Sequence, residues 1–371
     1  MNVIIAAAGT GGHINPGIAI ANKIKQENKN AKITFIGTVR GLENDLVPRA
    51  GFGLERIEAY GVNRKISFNN IKNLFKTLNS YREAKKIIKK LKTDIVIGTG
   101  GYICVPVILA AKKLGVPTII HESNAYPGVA VKLLSKKVNT VLVGFEDAKK
   151  RLPKAKKVVV TGTPTKIKKI NLTSNKRDDL IKDLKIKNDL PIVLVYGGSQ
   201  GAKTINETLI GIIKNNLNKK YHIIWAVGQK QYNNVKEELS KIGYSINNIK
   251  NMTIVPYIYN MQDVMNLSDL IIARSGAMTI TEVSTVGKPA IFIPFPYATE
   301  NHQEYNARVL EGIGAARIIL DNDLTTEKLN NEILEILENK KLQEQMGKLA
   351  EKSAIQNVEE KIYEEIKLLI R

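Results

Sequence analysis

One histidine sits inside a glycine-rich turn, Gly9-Thr10-Gly11-Gly12-His13, directly after the apolar run Val3-Ile4-Ile5-Ala6-Ala7-Ala8 and shortly before Pro16. Glycine lets the backbone come close to a ligand, and the start of the helix that follows offers N–H groups to an anion. A neutral imidazole in such a turn suits general-base chemistry near pH 7, taking the proton of a substrate hydroxyl. A capping or hydrogen-bonded structural histidine, in a tight turn without a ligand, is the other reading. The turn is not a Walker A loop, because no Gly-Lys-Ser/Thr follows. It also lacks the full G-x-G-x-x-G dinucleotide spacing, whose sixth position is here Ile14.

A second turn, Gly197-Gly198-Ser199-Gln200-Gly201-Ala202, follows the apolar run Ile192–Tyr196. Ser199 there can donate its hydroxyl to a phosphate beside a helix N-terminus. Arg274 ends a buried-type strand, Asp269–Ala273; a cation in that place suits either a phosphate contact or a salt bridge within the domain. Glu282, eight residues on, falls on the next helix, where a carboxylate can bind vicinal ribose hydroxyls or simply face water. His121-Glu122-Ser123-Asn124 follows Thr118-Ile119-Ile120 and reads as a hydroxyl-binding group, or as turn chemistry centred on Asn124. In Asn301-His302-Gln303-Glu304-Tyr305-Asn306-Ala307, capping explains Asn301, and Gln303 and Asn306 can reach sugar hydroxyls. Asp321-Asn322-Asp323 reads as loop and helix-cap residues rather than a metal site. With four histidines and one cysteine, Cys104, the chain offers no metal constellation, and no metal or other cofactor is expected.

These turns need elements to hold them. Short continuous apolar strands alternate with helical stretches, the pattern of parallel sheets covered on both faces. The plan occurs twice. The glycine turns at 9–12 and 197–201 match; Asp94–Gly101 matches Asp269–Gly276; Gly115-Val116-Pro117-Thr118-Ile119-Ile120 matches Gly287-Lys288-Pro289-Ala290-Ile291-Phe292. Two similar α/β domains are expected, 1–163 and 164–344, with a hinge near Thr161-Gly162-Thr163-Pro164. A final helical stretch, about 345–371, is expected to pack back on the first domain. Ligands bind at the carboxyl ends of such strands, where the Gly, Ser, Thr, His and Arg turns lie.

The 371 residues carry a net charge of +21, unevenly placed. Residues 1–165 hold 28 Lys and Arg against 10 Asp and Glu, net +18, and the rest only +3. Between 64 and 92, ten cations from Arg64 to Lys92 face a single acid, Glu83. Ile71, Leu74, Phe75 and Leu78 in that run have amphipathic-helix spacing. Such a helix either lies on an anionic membrane or buries its stripe in an ordinary core. No apolar run is long enough to span a bilayer, and the start lacks the basic region of a signal peptide, so a cytoplasmic protein is expected.

In order along the chain, Gly9–Gly17, Gly100-Gly101-Tyr102, His121–Ala125, Gly197–Ala202, Arg274–Thr279 and Asn301–Ala307 resemble the MurG family of peptidoglycan N-acetylglucosaminyltransferases. The resemblance implies a GT-B fold, two Rossmann-like domains with parallel sheets facing across a cleft. It implies inverting, metal-independent transfer of GlcNAc from UDP-GlcNAc to the 4-hydroxyl of undecaprenyl-diphosphate-linked MurNAc-pentapeptide, lipid I, at the cytoplasmic face of the membrane. The linkage made is β1-4 and the product is lipid II.

The resemblance also assigns residues. Ile258 meets the uracil through its backbone. Ala277, Met278, Thr279, Ile280 and Thr281 line the nucleotide pocket, and Glu282 binds the ribose. Ser199, helped by Arg274, contacts the diphosphate, and Gln303 and Asn306 the GlcNAc hydroxyls. Thr10, Gly11, Gly12 and Asn124 approach the reacting sugar, and Tyr102 lies on the acceptor side. His13 is the first choice of base and Glu122 the second. One departure stands out: Lys166, in Gly162-Thr163-Pro164-Thr165-Lys166, replaces the family's arginine, keeping the charge without the planar fork. The rivals are a UDP-GlcNAc 2-epimerase or other GT-B enzyme, a nucleotide-binding dehydrogenase, and a nucleic-acid-binding protein. The incomplete dinucleotide fingerprint disfavours the second; 6% aromatics and no known nucleic-acid module disfavour the third.

Overall fold

A computed structural model describes residues 1–58, 68–186, 189–198 and 201–370, the side chains of 68–78 excepted. The chain forms two units, Met1–Lys166 with Ile355–Arg371, and Ile167–Ala354.

The first unit alternates strands and helices: β1 (Asn2–Ala6), α1 (Gly11–Glu27), β2 (Lys32–Gly37), α2 (Glu43–Arg49), β3 (Gly53–Arg56), α3 (Phe68–Lys90), β4 (Ile95–Gly98), α4 (Cys104–Lys113), β5 (Thr118–Glu122), α5 (Val129–Leu134), β6 (Thr140–Val143), α6 (Glu146–Lys150) and β7 (Val158–Val160). Its sheet runs β3-β2-β1-β4-β5-β6-β7, with every pairing parallel. The inner strands β1, β4, β5 and β6 are buried on both faces, so they read as continuous apolar runs rather than alternating ones. Gly17 lets α1 lie close on the sheet; a Cβ there would come within 3.2 Å of both Ile5 and Phe35. From β1 the chain builds outward first through β2 and β3, then on the other side through β4. The carboxyl ends of β1 and β4 therefore form a switch point, where a crevice opens.

The second unit repeats the scheme: α7 (Ser174–Asp183), β8 (Ile192–Tyr196), α8 (Lys203–Lys214), β9 (His222–Ala226), α9 (Tyr232–Lys241), β10 (Met252–Val255), α10 (Met261–Leu267), β11 (Leu270–Ala273), α11 (Ala277–Val286), β12 (Ala290–Phe292), α12 (His302–Glu311), β13 (Ala316–Ile318), α13 (Thr326–Glu338) and α14 (Lys340–Ser353). Its parallel sheet runs β10-β9-β8-β11-β12-β13, with the switch point at β8 and β11. Trp225 is fully buried in this core and donates its indole N–H to Asn206 Oδ1 at 3.0 Å.

The stretch 345–371, expected as one helical segment, falls in two helices with different partners. α14 packs on α11 in the second unit, and α15 (Val358–Ile370) packs on α1 in the first. Asn357, with a left-handed φ of 54°, lies just before α15. Ile362 and Ile366 join the core around Val3 and Ile5, and Lys23 binds both Glu27 and Glu360.

In α3, Ala84 and Ile88 are buried in the core shared with α4, while Arg82, Lys86, Lys89 and Lys90 are exposed. Arg64 and Lys65, and the side chains of Ile71, Lys72, Leu74, Phe75, Lys76 and Leu78, lie outside the described residues. No described helix is long and apolar enough to cross a membrane.

Candidate active site

The first switch point is built from glycines. Gly9 has φ +94° and starts the turn after β1; Gly100 and Gly101, with φ +122° and +82°, form the turn after β4. The His13 ring occupies the space the second pair leaves. A Cβ on Gly100 would fall on the ring, 2.9 Å from Nε2, and one on Gly101 would lie 2.9 Å from the Ala8 carbonyl oxygen. Thr99 Oγ1 donates to the His13 carbonyl at 2.8 Å, and His13 Nδ1 lies 3.2 Å from the Ala8 carbonyl oxygen. A carbonyl only accepts, so Nδ1 is the donor, and the neutral ring carries its lone pair on Nε2. That tautomer suits a base. Thr10 and Gly12 are exposed at the rim, and Tyr102 is exposed beyond Gly101.

Expected hydroxyl-binding residues at the end of β5 turn out to brace the fold. His121 is fully buried; its Nε2–H donates to the Gly162 carbonyl at 3.0 Å, and burial holds the imidazole down at about 4, so it stays neutral. Glu122 Oε1 accepts from the N–H and side-chain amide of Asn124 at 2.9 and 3.0 Å, and Oε2 accepts from Gly128 N–H at 2.7 Å. Burial raises its pKa even so. With both oxygens committed to the 123–128 loop, Glu122 is that loop's anchor; the role of alternative base is set aside. Asn124 is held in place by the same carboxylate. Cys104 is buried, its thiol pushed up to about 12 by desolvation, and is inert.

In the second unit Gly198 and Gly201 have positive φ, and a Cβ on Gly197 would lie 2.5 Å from the Ala202 backbone N. Ser199 and Gln200 lie outside the described residues, so the expected diphosphate contact of Ser199 has no geometry here. Across the switch point Gly276 caps α11. Along that helix Met278, Thr279, Thr281 and Glu282 are half-buried, with Thr281 Oγ1 donating to the Ala277 carbonyl at 3.0 Å. Ile280 is fully buried and belongs to the core, so its side chain does not line a nucleotide pocket. Burial pushes the Glu282 carboxyl up to about 7.

Tyr196, at the end of β8, was not singled out by sequence, although it is the one polar residue in Ile192–Tyr196. Its hydroxyl is buried, and burial above all, with the charge of Glu282 adding and the Thr279 side chain opposing, holds the phenol protonated. Ile258 is buried, between exposed Tyr257 and Tyr259. Lys166 is exposed.

Two residues expected at the ligand have partners within the second unit. Arg274 is an internal brace, the salt-bridge reading: Nη1 donates to the carbonyls of Ile293 and Pro294, both at 3.1 Å, and pairs with Asp321. Asp321 also accepts from Thr204 Oγ1, so this carboxylate joins three segments. Asn306 is fully buried, with Nδ2 donating to the Ser275 carbonyl at 3.2 Å. Gln303 stays at the surface side of α12, its Oε1 accepting from Phe295 N–H at 3.0 Å. Asn301 makes no side-chain cap; it donates instead to Glu304.

The N-terminal domain of glycosyltransferase family 28 matches residues 3–143 and the C-terminal domain matches 192–362. The Ruminiclostridium cellulolyticum UDP-N-acetylglucosamine--N-acetylmuramyl-(pentapeptide) pyrophosphoryl-undecaprenol N-acetylglucosamine transferase is 43% identical over 370 residues, covering the whole of both chains. The chain belongs to glycosyltransferase family 28. The crystal structure of MurG from Acinetobacter baumannii, 33% identical, matches with a TM-score of 0.76 over 99% of each chain. A family 28 chain with two parallel-sheet units has the GT-B fold expected from the motifs. The UDP-GlcNAc 2-epimerase from Neisseria meningitidis bound to UDP-GlcNAc is only 15% identical, with a TM-score of 0.66 over 99% of each chain, and shares the fold alone.

The raised pKa of Glu282 has a sign. The ordinary carboxyl ionises near 4.5 and the folded one near 7. The folded protein thus holds a proton that the unfolded chain releases, and stability falls as pH rises through about 7. Glu282→Gln should raise the melting temperature more at pH 8 than at pH 5. Equal changes at both would show that this carboxyl is not strained by burial.

Proposed function

We propose that the chain transfers N-acetylglucosamine from UDP-GlcNAc to the 4-hydroxyl of lipid I, with inversion at the anomeric carbon, and so makes the β1-4 linkage of lipid II. The observation that carries this reading is the His13 ring, its Nε2 lone pair fixed by the Ala8 carbonyl in a glycine-walled turn. The acceptor oxygen attacks the anomeric carbon, its proton passes to His13 Nε2, and the bond to the β-phosphate breaks, releasing UDP. Negative charge grows on that phosphate. Ser199 and the N–H groups of the glycine turn leading into α8 are assigned to stabilise it without a metal.

The second unit is assigned the donor. Ile258 offers its backbone to the uracil, Ala277, Met278 and Thr279 line the nucleotide, Glu282 accepts from the ribose hydroxyls, and Gln303 faces the GlcNAc. In the first unit Thr10, Gly11 and Gly12 approach the reacting sugar, Asn124 supports it, and Tyr102 serves the acceptor. Lys166 keeps the charge of the family's arginine. The front domain is assigned to Met1–Lys166 with the returning helix α15, and the donor domain to Ile167–Ala354, in place of the expected bounds 1–163 and 164–344. The chain acts peripherally at the cytoplasmic face of the membrane, its +18 first half docking on anionic lipid. Neither a nucleic acid nor a cofactor is assigned.

The test is transfer of labelled GlcNAc to a lipid I analogue in the presence of EDTA. UDP release that depends on lipid I supports the transferase; conversion of UDP-GlcNAc into its C2 epimer without acceptor favours a 2-epimerase. His13→Ala should lower kcat by roughly 10²–10⁴-fold, and a full-rate variant removes His13 from the mechanism. Co-sedimentation with vesicles should require anionic lipid and weaken as salt rises. Binding indifferent to both would refute the docking reading.

A further inference from the structure

We infer that Glu43 is a positioning residue for His13, acting through a single peptide group; this deepens the proposed function and rests on His13 being its base. Glu43 opens α2 and is completely buried. Its Oε1 accepts from the N–H and the hydroxyl of Thr38, at 2.8 and 2.6 Å, and its Oε2 accepts from Gly9 N–H at 3.0 Å. The N–H of Gly9 and the carbonyl of Ala8 are the two ends of one planar peptide. Fixing the N–H fixes the carbonyl, and that carbonyl is the acceptor for His13 Nδ1. Carboxylate, peptide and imidazole therefore form one hydrogen-bonded series. The opposite end of Gly9 is held as well, its carbonyl accepting from Leu42 N–H just before α2.

The sequence makes room for this arrangement. A Cβ on Gly37 would lie 2.6 Å from Glu43 Cγ, and one on Gly41 would overlap the carboxylate itself. Gly37-Thr38-x-x-Gly41-x-Glu43 is thus a pocket shaped around one side chain. Burial alone would raise the pKa of Glu43, but the donors from Thr38 and Gly9 outweigh it and hold the group below the ordinary carboxyl range, as an anion. A negative charge at the N–H end of the peptide increases the electron density on the Ala8 oxygen. That favours the Nδ1–H tautomer and stabilises the imidazolium formed when His13 takes the acceptor's proton. The logic is that of a carboxylate orienting a catalytic histidine, with a peptide interposed.

Glu43→Gln tests this with little change of shape. Its amide oxygen stays with the two Thr38 donors, which turns its NH2 toward the Gly9 N–H, donor against donor. Nitrogen NMR of wild-type His13 should report the Nδ1–H tautomer. In E43Q that preference should weaken and kcat should fall by about 10²-fold, as for a misplaced catalytic group, while the KM for UDP-GlcNAc stays near the wild-type value. An Nε2–H tautomer in the wild-type enzyme would overturn the inference even if E43Q failed to fold. So would E43Q with unaltered tautomer and kcat. Full activity of His13→Ala would sink the base assignment, whereas an unmoved tautomer in E43Q sinks the relay, so the two failures are told apart.

Discussion

The His13 ring rests against Gly100 because β1 and β4 are hydrogen-bonded neighbours whose connections leave the sheet in opposite directions. At their carboxyl ends two turns arrive side by side, and a side chain in one needs space in the other. Gly100 and Gly101 supply that space with backbone angles that other residues rarely adopt. Around this contact are arranged the tautomer of His13, the tie from Thr99 to its carbonyl, and the buried carboxylate of Glu43 behind the Ala8–Gly9 peptide. The chemistry assigned to the first unit is a consequence of this packing.

The second unit repeats the same strand order around β8 and β11. The start of α11, with Gly276 at its N-cap and no side-chain cap, offers backbone N–H groups rather than a base. Glu282 and Tyr196 stand as a partly desolvated polar pair beside them, and burial holds the carboxyl well above its usual range. The charged residues farther back, Arg274 with Asp321, fasten the 293–295 segment and the 321 turn to β11 instead of meeting a phosphate.

Much of the architecture was legible because continuous apolar strands followed by glycine turns have few alternative structures. The repetition of that unit also disclosed two similar domains. Side-chain direction was not legible. Glu122, Arg274 and Asn306 sit at strand ends or helix starts as expected, but each points into the protein and satisfies backbone groups there. Residue type at a strand end says that a polar group is present, not whether it faces ligand or loop. Glu43 escaped notice because its partner Gly9 is 34 residues away. Its nearest cue was the pair of glycines at 37 and 41. The break between α14 and α15 hides in Ala354–Asn357, which contains neither proline nor glycine and ends on a left-handed asparagine.

The central claim is that nucleotide and base belong to different switch points, β8/β11 for the nucleotide and β1/β4 for the base. Titration of UDP into isotope-labelled protein, followed by amide NMR, addresses it directly. The largest shifts should fall on Gly198 and on Gly276, Ala277, Met278 and Thr279 at the start of α11. Largest shifts on Gly9 to His13 instead would contradict the account.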